Sequence, residues 1–392
     1  MKRKFLGLLI PIIIILAGCN PNADYSPPPT SVPLEIGTSN TSTSLISPGH
    51  SIVLPEGFEI NVFVDGLQEP KMMAFGSDQK LYVSEFGSGR ILRFPDQDRD
   101  GTADGIEIVA EGFIEPSGLA FYVDDSMYIA ETTRIFRLTD PDGDGSYQER
   151  ETIFAGISAG GNTNRTIIFS PDWQRLFLAV GSSCNVCFEQ DERRASILLM
   201  KPDGSDIQIY TRGVRNVVGL DFHPEQETLW GAVIGREGLG DDIPPESVYT
   251  FYLETDGGWP YCHAGIIVDP DFGDKNSCTD DILQPRFNLE AHTAPHGVDF
   301  YTGSQFPEEY QDDYFIALHG SGEADSAVGF KIVRKPLGVG GNKGIQDFAV
   351  GWLQDNGTHW GTPMDLIEGP DGSLFLSDDY AGVIYRITYE GN

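Results

Sequence analysis

The chain repeats itself. Gly66-Leu67-Gln68-Glu69-Pro70 returns as Gly112-Phe113-Ile114-Glu115-Pro116, and Leu81-Tyr82-Val83-Ser84-Glu85 as Met127-Tyr128-Ile129-Ala130-Glu131. Ile91-Leu92-Arg93-Phe94 returns as Ile135-Phe136-Arg137-Leu138, so the offset is 46 residues at first and 44 later in the unit. A period of that length, made of short β-rich runs and turn residues, matches one four-stranded propeller blade. Such a sheet buries its faces by stacking on its neighbours. More divergent units follow at Thr166–Val180, Val218–Val233, His296–Leu318 and Pro363–Ile387, the last holding the turn signal Pro370-Asp371-Gly372. Six units predict an all-β, six-bladed β-propeller over residues 51–392, with the apolar strand residues as blade core and little helix.

Ahead of the repeats the composition changes twice. Lys2, Arg3 and Lys4 precede an apolar run from Leu6 to Leu16, which is shorter than the roughly 20 residues of a membrane-spanning helix. The run ends in Leu16-Ala17-Gly18-Cys19. A cationic head, a short apolar core and small residues before a cysteine predict a lipoprotein signal peptide over residues 1–19. Cys19 would then be acylated and would anchor an exported protein to a membrane, at the cell surface or in a periplasm. An ordinary signal peptide with a chance cysteine is the plainer alternative. Residues 20–50 contain Pro27-Pro28-Pro29 and many Ser, Thr and Asn. They hold too little apolar surface to offset their ordering entropy and are expected to form a disordered tether.

The net charge of −33 becomes about −36 once the three cations of the signal are removed. Such acidity argues against nucleic acid as a partner, because phosphate binding rests on Lys and Arg. It suits solubility and calcium binding, although most of these carboxylates read as a solvated surface. Beside Cys19, the chain has Cys184 and Cys187 in a C-x-x-C and Cys262 and Cys278 around a polar loop. In an oxidising compartment this even set is expected to form Cys184–Cys187 and Cys262–Cys278 disulfides. A four-cysteine zinc site is the rival.

Two loops carry a metal-binding pattern. Asp96, Asp98, Asp100, Gly101 and Glu107 fit D-x-D-x-D-G-x5-E, and Asp140, Asp142, Asp144, Gly145 and Glu151 fit it again one unit later. Carboxylates at alternate positions can converge on one calcium ion, Gly permits the sharp turn, and the distant Glu can close the shell. The flanks read as strands, so these are blade loops with EF-hand-like spacing. An acidic turn without an ion is the plain alternative.

Further motifs span the repeats: Val180-Gly181-Ser182-Ser183-Cys184-Asn185-Val186-Cys187, Arg215-Asn216 with Gly219-Leu220, Gly235-Arg236-Glu237-Gly238-Leu239-Gly240, Gly258-Trp259-Pro260-Tyr261-Cys262, Ala291-His292-Thr293-Ala294-Pro295, Leu318-His319-Gly320-Ser321 and Ser377-Asp378-Asp379. Together they resemble the glucose/sorbosone dehydrogenase family, the soluble PQQ-dependent sugar dehydrogenases that include the pyranose dehydrogenase-like propellers. The resemblance implies oxidation of an aldose or related sugar with PQQ and calcium, the electrons passing to an unidentified acceptor. It also implies that Arg215, Asn216 and Arg165 face the quinone, whose three carboxylates call for cations. Backbone carbonyls near Gly238 and Leu239 would hold the calcium.

The family pattern is also broken in three places. Asn162 stands where the family places its catalytic His, and an amide cannot accept the proton. Gly322, Glu323 and Ala324 follow His319 in place of Trp-Asn-Arg, and Thr362 follows Trp360-Gly361 in place of an Arg. His292, His296 and His319 remain as candidate bases, with His296 the most unusual. Competing expectations are a non-catalytic, sugar-binding propeller with a degenerate quinone site, and a calcium-dependent lactonase-type hydrolase. The hydrolase would hold its metal on the central axis among carboxylates.

Overall fold

The computed structural model describes residues 41–47, 50–147, 149–321, 327–338 and 343–391. Among them six sheets are arranged as the blades of a propeller, as the repeat predicted, antiparallel except where Thr255–Asp256 joins the edge of blade 3, and a separate two-stranded sheet pairs Cys262–His263 with Ile267–Val268. From the innermost strand outward, blade 1 is Pro70–Phe75, Leu81–Glu85, Arg90–Phe94 and Glu107–Glu111. Blade 2 is Gly118–Phe121, Met127–Glu131, Arg134–Thr139 and Glu149–Ala155. Blade 3 is Ile167–Phe169, Leu176–Val180, Ser196–Met200 and Gln208–Arg212. Blade 4 is Val217–Phe222, Leu229–Val233, Glu246–Phe251 and Phe287–Leu289. Blade 5 begins with Pro295–Phe300, Tyr314–Leu318, Lys331–Lys335 and Gln346–Val350. Blade 6 begins with Pro363–Glu368, Leu374–Asp378 and Val383–Tyr389.

The second strand of every blade is buried along its whole length. Each sheet packs on neighbours through both faces, so these strands are apolar runs such as Leu176-Phe177-Leu178-Ala179-Val180 and do not alternate. Outer strands meet water, and Glu149–Ala155 exposes its first four residues.

The two ends of the propeller sequence close the ring together. Phe58–Val64 pairs with Val383–Tyr389 as the fourth strand of blade 6, Ile60 opposite Ile387. Phe58 packs edge-on against Phe306, Tyr310, Phe348 and Tyr389 at 4.8–5.1 Å. Truncating such a ring to Ala costs about 3–5 kcal/mol. Two earlier strands, Thr41–Ser47 and His50–Pro55, extend blade 5 outward. The expected end of the tether at residue 50 is therefore corrected to a point before Thr41. A polar segment can form a strand when another strand supplies its partners, and here the Ser42 and Ser44 hydroxyls also accept from the N–H groups of Gly57 and Ile60. The signal peptide, Cys19 and residues 20–40 lie outside the described residues. Helix among the described residues is one 3-10 turn, Glu308–Tyr310, and none is long and apolar enough to cross a membrane.

The innermost strands surround a central channel of about 390 Å³. Gly219 lies against His296 and Val298, and Gly297 against Asp365. Neighbouring inner strands thus run in the same direction, and their first residues gather at one end of the ring, here the upper end. Their last residues gather at the lower end.

Candidate active site

Arg215 and Asn216 lead into the inner strand of blade 4 at the upper end, 6% and 5% exposed. Arg215 donates from Nε to the Asn185 carbonyl (3.0 Å) and from Nη2 to Asn185 Oδ1 (3.2 Å), and lies 3.8 Å from Glu237. Asn185 sits inside the loop closed by the Cys184–Cys187 disulfide. It also bonds twice to Glu237, accepting from its N–H (2.9 Å) and donating to its carbonyl (3.0 Å). The disulfide loop therefore ties Arg215 to the 235–240 loop. Asn216 Oδ1 is buried without a hydrogen-bond partner. A Cβ on Gly181 would come within 2.5 Å of both Asn216 Oδ1 and Asn162 Cβ, so only glycine lets the two asparagines meet there.

Asn162 and Asn216 thus meet over Gly181, with Arg215 adjacent to Asn216 in the chain. The Asn162 amide donates to Ser182 Oγ (3.0 Å) and offers no base. Arg165 is 1% exposed and donates to the carbonyls of Thr132 (3.0 Å), Asn162 (2.8 Å) and Asn164 (2.7 Å). Arg194 converges on the same turn, donating to the carbonyls of Gly160 and Ser182. Burial, with Arg194 beside it, pushes the Arg165 guanidinium down to about 10. Arg165 braces the turn that carries Asn162 through Nε and Nη1, and its Nη2 is buried without a hydrogen-bond partner.

Blades 5, 6 and 1 add a second group at the same end. His296 stacks on His319 at 4.4 Å. His319 Nε2 bonds to Asp379 Oδ1 (3.0 Å), Thr362 Oγ1 donates to the same oxygen (2.5 Å), and Lys71 Nζ pairs with Asp379 Oδ2 (2.5 Å). Burial opposes ionisation of Asp379, but the His319 hydrogen bond and the Lys71 ammonium hold its carboxyl well below the usual range. An ionised carboxylate only accepts, so His319 Nε2 carries the hydrogen, while Nδ1 lies 3.4 Å from the Gly320 carbonyl. By the same logic the Ala294 carbonyl, 2.8 Å from Nδ1 of His296, makes that nitrogen a donor.

Burial and the adjacent His319 push the His296 imidazole down to about 3. A base that weak is poorly matched to neutral pH. The expectation that His296 accepts the proton is corrected accordingly: it forms a neutral floor beneath His319. His319 instead has the Asp379 carboxylate behind it, placed to stabilise an imidazolium. Sequence reading assigned no role to Lys71 or Asp379. The repeat held the signal for Lys71, which follows the leading proline of its inner strand as His296 follows Pro295.

His292 has a different role. Its Nε2 meets the Gly240 carbonyl at 2.8 Å and pins the 235–240 loop. The same loop carries Gly238, which is exposed, and Leu239, which is half-buried.

The acidic loops partly match expectation. Asp140, Asp142 and Asp144 bring carboxylate oxygens within 4.8 Å of one another. In the first loop the converging set is Asp96, Asp98 and Asp104. Asp100 instead accepts from the N–H of Thr102 (2.8 Å), and Glu107 pairs with Arg93 (2.6 Å). Glu151 lies exposed in an outer strand opposite Arg137. Neither Glu closes its loop because each begins or continues a strand whose ladder points its side chain elsewhere. The four remaining cysteines form the two expected disulfides, Cys184–Cys187 and Cys262–Cys278, which excludes the four-cysteine zinc site.

The lower end is acidic. Asp221 and Asp299, each fifth in its inner strand, line the channel with Asp365 and Glu368. Burial pushes Asp221 and Asp365 up to about 7. Burial, together with the Asp221 and Glu368 carboxylates, pushes Asp299 well above the usual range. The repeated Gly219-Leu220-Asp221-Phe222 and Gly297-Val298-Asp299-Phe300 announced this pair, but both motifs read simply as blade core. Among the described residues, the groups of ligating side chains within 4.8 Å are the two acidic loops and Cys184, Cys187 and Glu189, none of them on the axis.

A six-bladed propeller with a polar site where its inner strands begin defines the class by fold. The chain belongs to the family described as a domain of unknown function (DUF7133), whose profile matches residues 47–253, more than half of the sequence. A second family, described as TrAA12-like, matches residues 267–390. The holo form of the pyranose dehydrogenase PQQ domain from Coprinopsis cinerea superposes with a TM-score of 0.73 at 18% identity, covering 87% of this chain and 98% of that one. The calcium structure of Trichoderma reesei Carbohydrate-Active Enzymes Family AA12 gives 0.73 at 18%, covering 92% and 100%. At such identities the likeness is one of fold.

In sequence, an uncharacterized protein of Borreliella burgdorferi is 35% identical over 220 residues, 55% of this chain and 58% of its own length. The aldose sugar dehydrogenase YliI of Escherichia coli is 27% identical over 195 residues, 48% and 46%. The chain spans about half the length of these curated relatives. The resemblance to soluble sugar dehydrogenases that the motifs carried is borne out by these neighbours.

Proposed function

We propose that this protein is an exported oxidoreductase that oxidises an aldose or related sugar with PQQ and calcium at the upper end of its propeller. The observation that carries the reading is that two polar groups stand at the same end of the ring, Arg215 with Asn216 and the chain Lys71–Asp379–His319. The residues fit the cofactor. Arg215 and Lys71 bring cations to an anionic quinone, Asn216 Oδ1 is a buried acceptor with no partner, and the Gly238 and Leu239 carbonyls suit a calcium ion. When bound, the quinone and its calcium supply a polarised carbonyl that accepts hydride. The chain's own residues do the rest. His319 takes the proton of the sugar hydroxyl, Asp379 holds the resulting imidazolium, and Lys71 and Thr362 hold Asp379. Asn162 shapes the wall through Ser182.

Calcium in the two acidic loops is structural in this reading, on Asp96, Asp98 and Asp104 and on Asp140, Asp142 and Asp144. Export and acylation at Cys19 belong to the same proposal. Both disulfides suit an oxidising compartment. The lower-end carboxylates are the feature a calcium-dependent hydrolase would use, but they lie away from Arg215 and His319, which support the dehydrogenase reading.

The test is reconstitution of the purified protein with PQQ and calcium chloride, followed by dye reduction with a panel of aldoses. Quinone binding with sugar-dependent dye reduction is expected. Absence of both contradicts the proposal, and lactone hydrolysis in their place supports the hydrolase.

A further inference from the structure

A cluster of aromatic rings stands open to water beside the Arg215 loop. Phe188 is 59% and Tyr261 43% exposed, with Phe272 half-buried between water and Phe188. The ring of Phe188 lies 6.0 Å from Tyr261 and 5.1 Å from Phe272. Single exposed rings are ordinary. Three in contact form an apolar patch of the kind that marks an interaction site.

Each ring is set on braced backbone. Phe188 follows Cys187 of one disulfide, and Tyr261 precedes Cys262 of the other. Beneath them the wholly buried Asp269 accepts from the N–H groups of Asp271 and Phe272 (2.9 Å each), bonds His263 Nε2 (2.8 Å) and pairs with Arg236. The N–H of Asp269 donates to the Tyr261 carbonyl (2.9 Å). Two crosslinks and a buried charged network thus hold rings that make few contacts of their own with the core.

The surroundings favour a neutral sugar as occupant. Aromatic faces carry negative charge density, which attracts the positively polarised C–H bonds on a pyranose face. Glu189 and Asp271, the chain neighbours of Phe188 and Phe272, have carboxylate oxygens that can accept from hydroxyls and would repel an anionic surface. The cluster is continuous with the candidate active site, because Trp259 Nε1 donates to the same Asn185 carbonyl (3.3 Å) that receives Arg215.

We infer that Phe188, Tyr261 and Phe272 form a stacking subsite for a neutral sugar unit beyond the one oxidised, so that short oligosaccharides are preferred to free monosaccharides. This rests on the sugar-oxidising reading for its direction, but the binding itself needs no quinone. The test is calorimetric titration of the full mature protein, without cofactor, with cellotriose, maltotriose and glucose. The expected result is that one trisaccharide binds at least tenfold more tightly than glucose. That preference should be lost in F188A/Y261A/F272A, reduced in the single surface variant Phe188→Ser, and kept in Phe188→Trp, with both disulfides intact and an unchanged melting temperature.

Equal affinity for glucose and both trisaccharides overturns the inference, as does a trisaccharide affinity untouched by Phe188→Ser. A variant that alters only the KM for a cytochrome acceptor also overturns it, in favour of a redox-partner surface. Trisaccharide binding without any turnover by the PQQ-loaded protein would sink the dehydrogenase reading and leave the subsite standing. Glucose oxidation with no trisaccharide preference would do the reverse.

Discussion

The two ends of the propeller are built on the same six strands and carry opposite chemistry. At the upper end charges are paired and directional: Lys71 with Asp379, Asp379 with His319, Arg215 with Asn185. At the lower end Asp221, Asp299 and Asp365 share a channel, and Asp299 Oδ2 has no hydrogen-bond partner. The upper groups are each tied to a specific partner, and those partners hold the Asp379 carboxyl well below its usual range. The lower ones are pushed toward their neutral forms by burial and by one another. The repeat supplies the backbone at both ends, and single substitutions at equivalent positions decide what each end can do.

The comparison breaks most visibly if the base is misassigned. His319→Ala should lower kcat by about 10²–10⁴, the usual contribution of a positioned proton acceptor, with quinone affinity nearly unchanged. Steady-state kinetics with saturating PQQ read this out. A larger loss for His296→Ala than for His319→Ala would reverse the roles given to the two rings. Next in size, Arg215→Ala should weaken quinone binding at least tenfold, with Arg215→Lys restoring only part, because a point charge does not replace a planar guanidinium. A fluorescence or calorimetric titration measures both.

The lower end should respond to pH and not to the quinone. Its acids have folded pKa values raised above their unfolded ones, so between about pH 4 and 7 the native state binds more protons than the unfolded chain. Their contribution is complete at low pH and is lost as pH rises through about 7. Melting temperature should therefore fall between pH 5 and pH 8 on their account. Asp299→Asn should flatten that fall and raise the melting temperature at pH 8, by about 2 °C for each 1 kcal/mol in a large domain, without altering quinone binding. A variant that melts lower at pH 8 would show that the carboxylate has a counterion. Smallest in its effect on turnover, Asp104→Asn should weaken calcium-dependent stabilisation of the first loop while Glu107→Gln leaves it intact, read as the calcium shift in melting temperature.

Most of the fold was legible because the blade repeat recurs in its strands and turns at once. The closing strand Phe58–Val64 and the added strand His50–Pro55 were not, since the blades they join lie some 300 residues away in sequence. The site was legible where a motif is contiguous, as in Arg215-Asn216 and the Cys184–Cys187 loop. It was not where geometry assembles it. Nothing near Arg165 in sequence shows that its guanidinium turns inward to three carbonyls. Spacing alone placed Glu107 on a metal, and only the strand direction sends it to Arg93. His296 and His319 were both visible, but which is the base depends on the Ala294 carbonyl behind one and the Asp379 carboxylate behind the other.

The account's central claim is that the upper end holds an anionic quinone beside a proton-accepting His319. Titrating PQQ with calcium into the purified protein, then adding an aldose without an electron acceptor and following the quinone absorbance, tests it most directly. The account predicts one quinone per chain, reduced on addition of sugar in the wild type, bound but reduced at least a hundredfold more slowly in His319→Ala, and poorly bound in Arg215→Ala. Quinone bound equally well by Arg215→Ala, or reduced at the wild-type rate in His319→Ala, would contradict it.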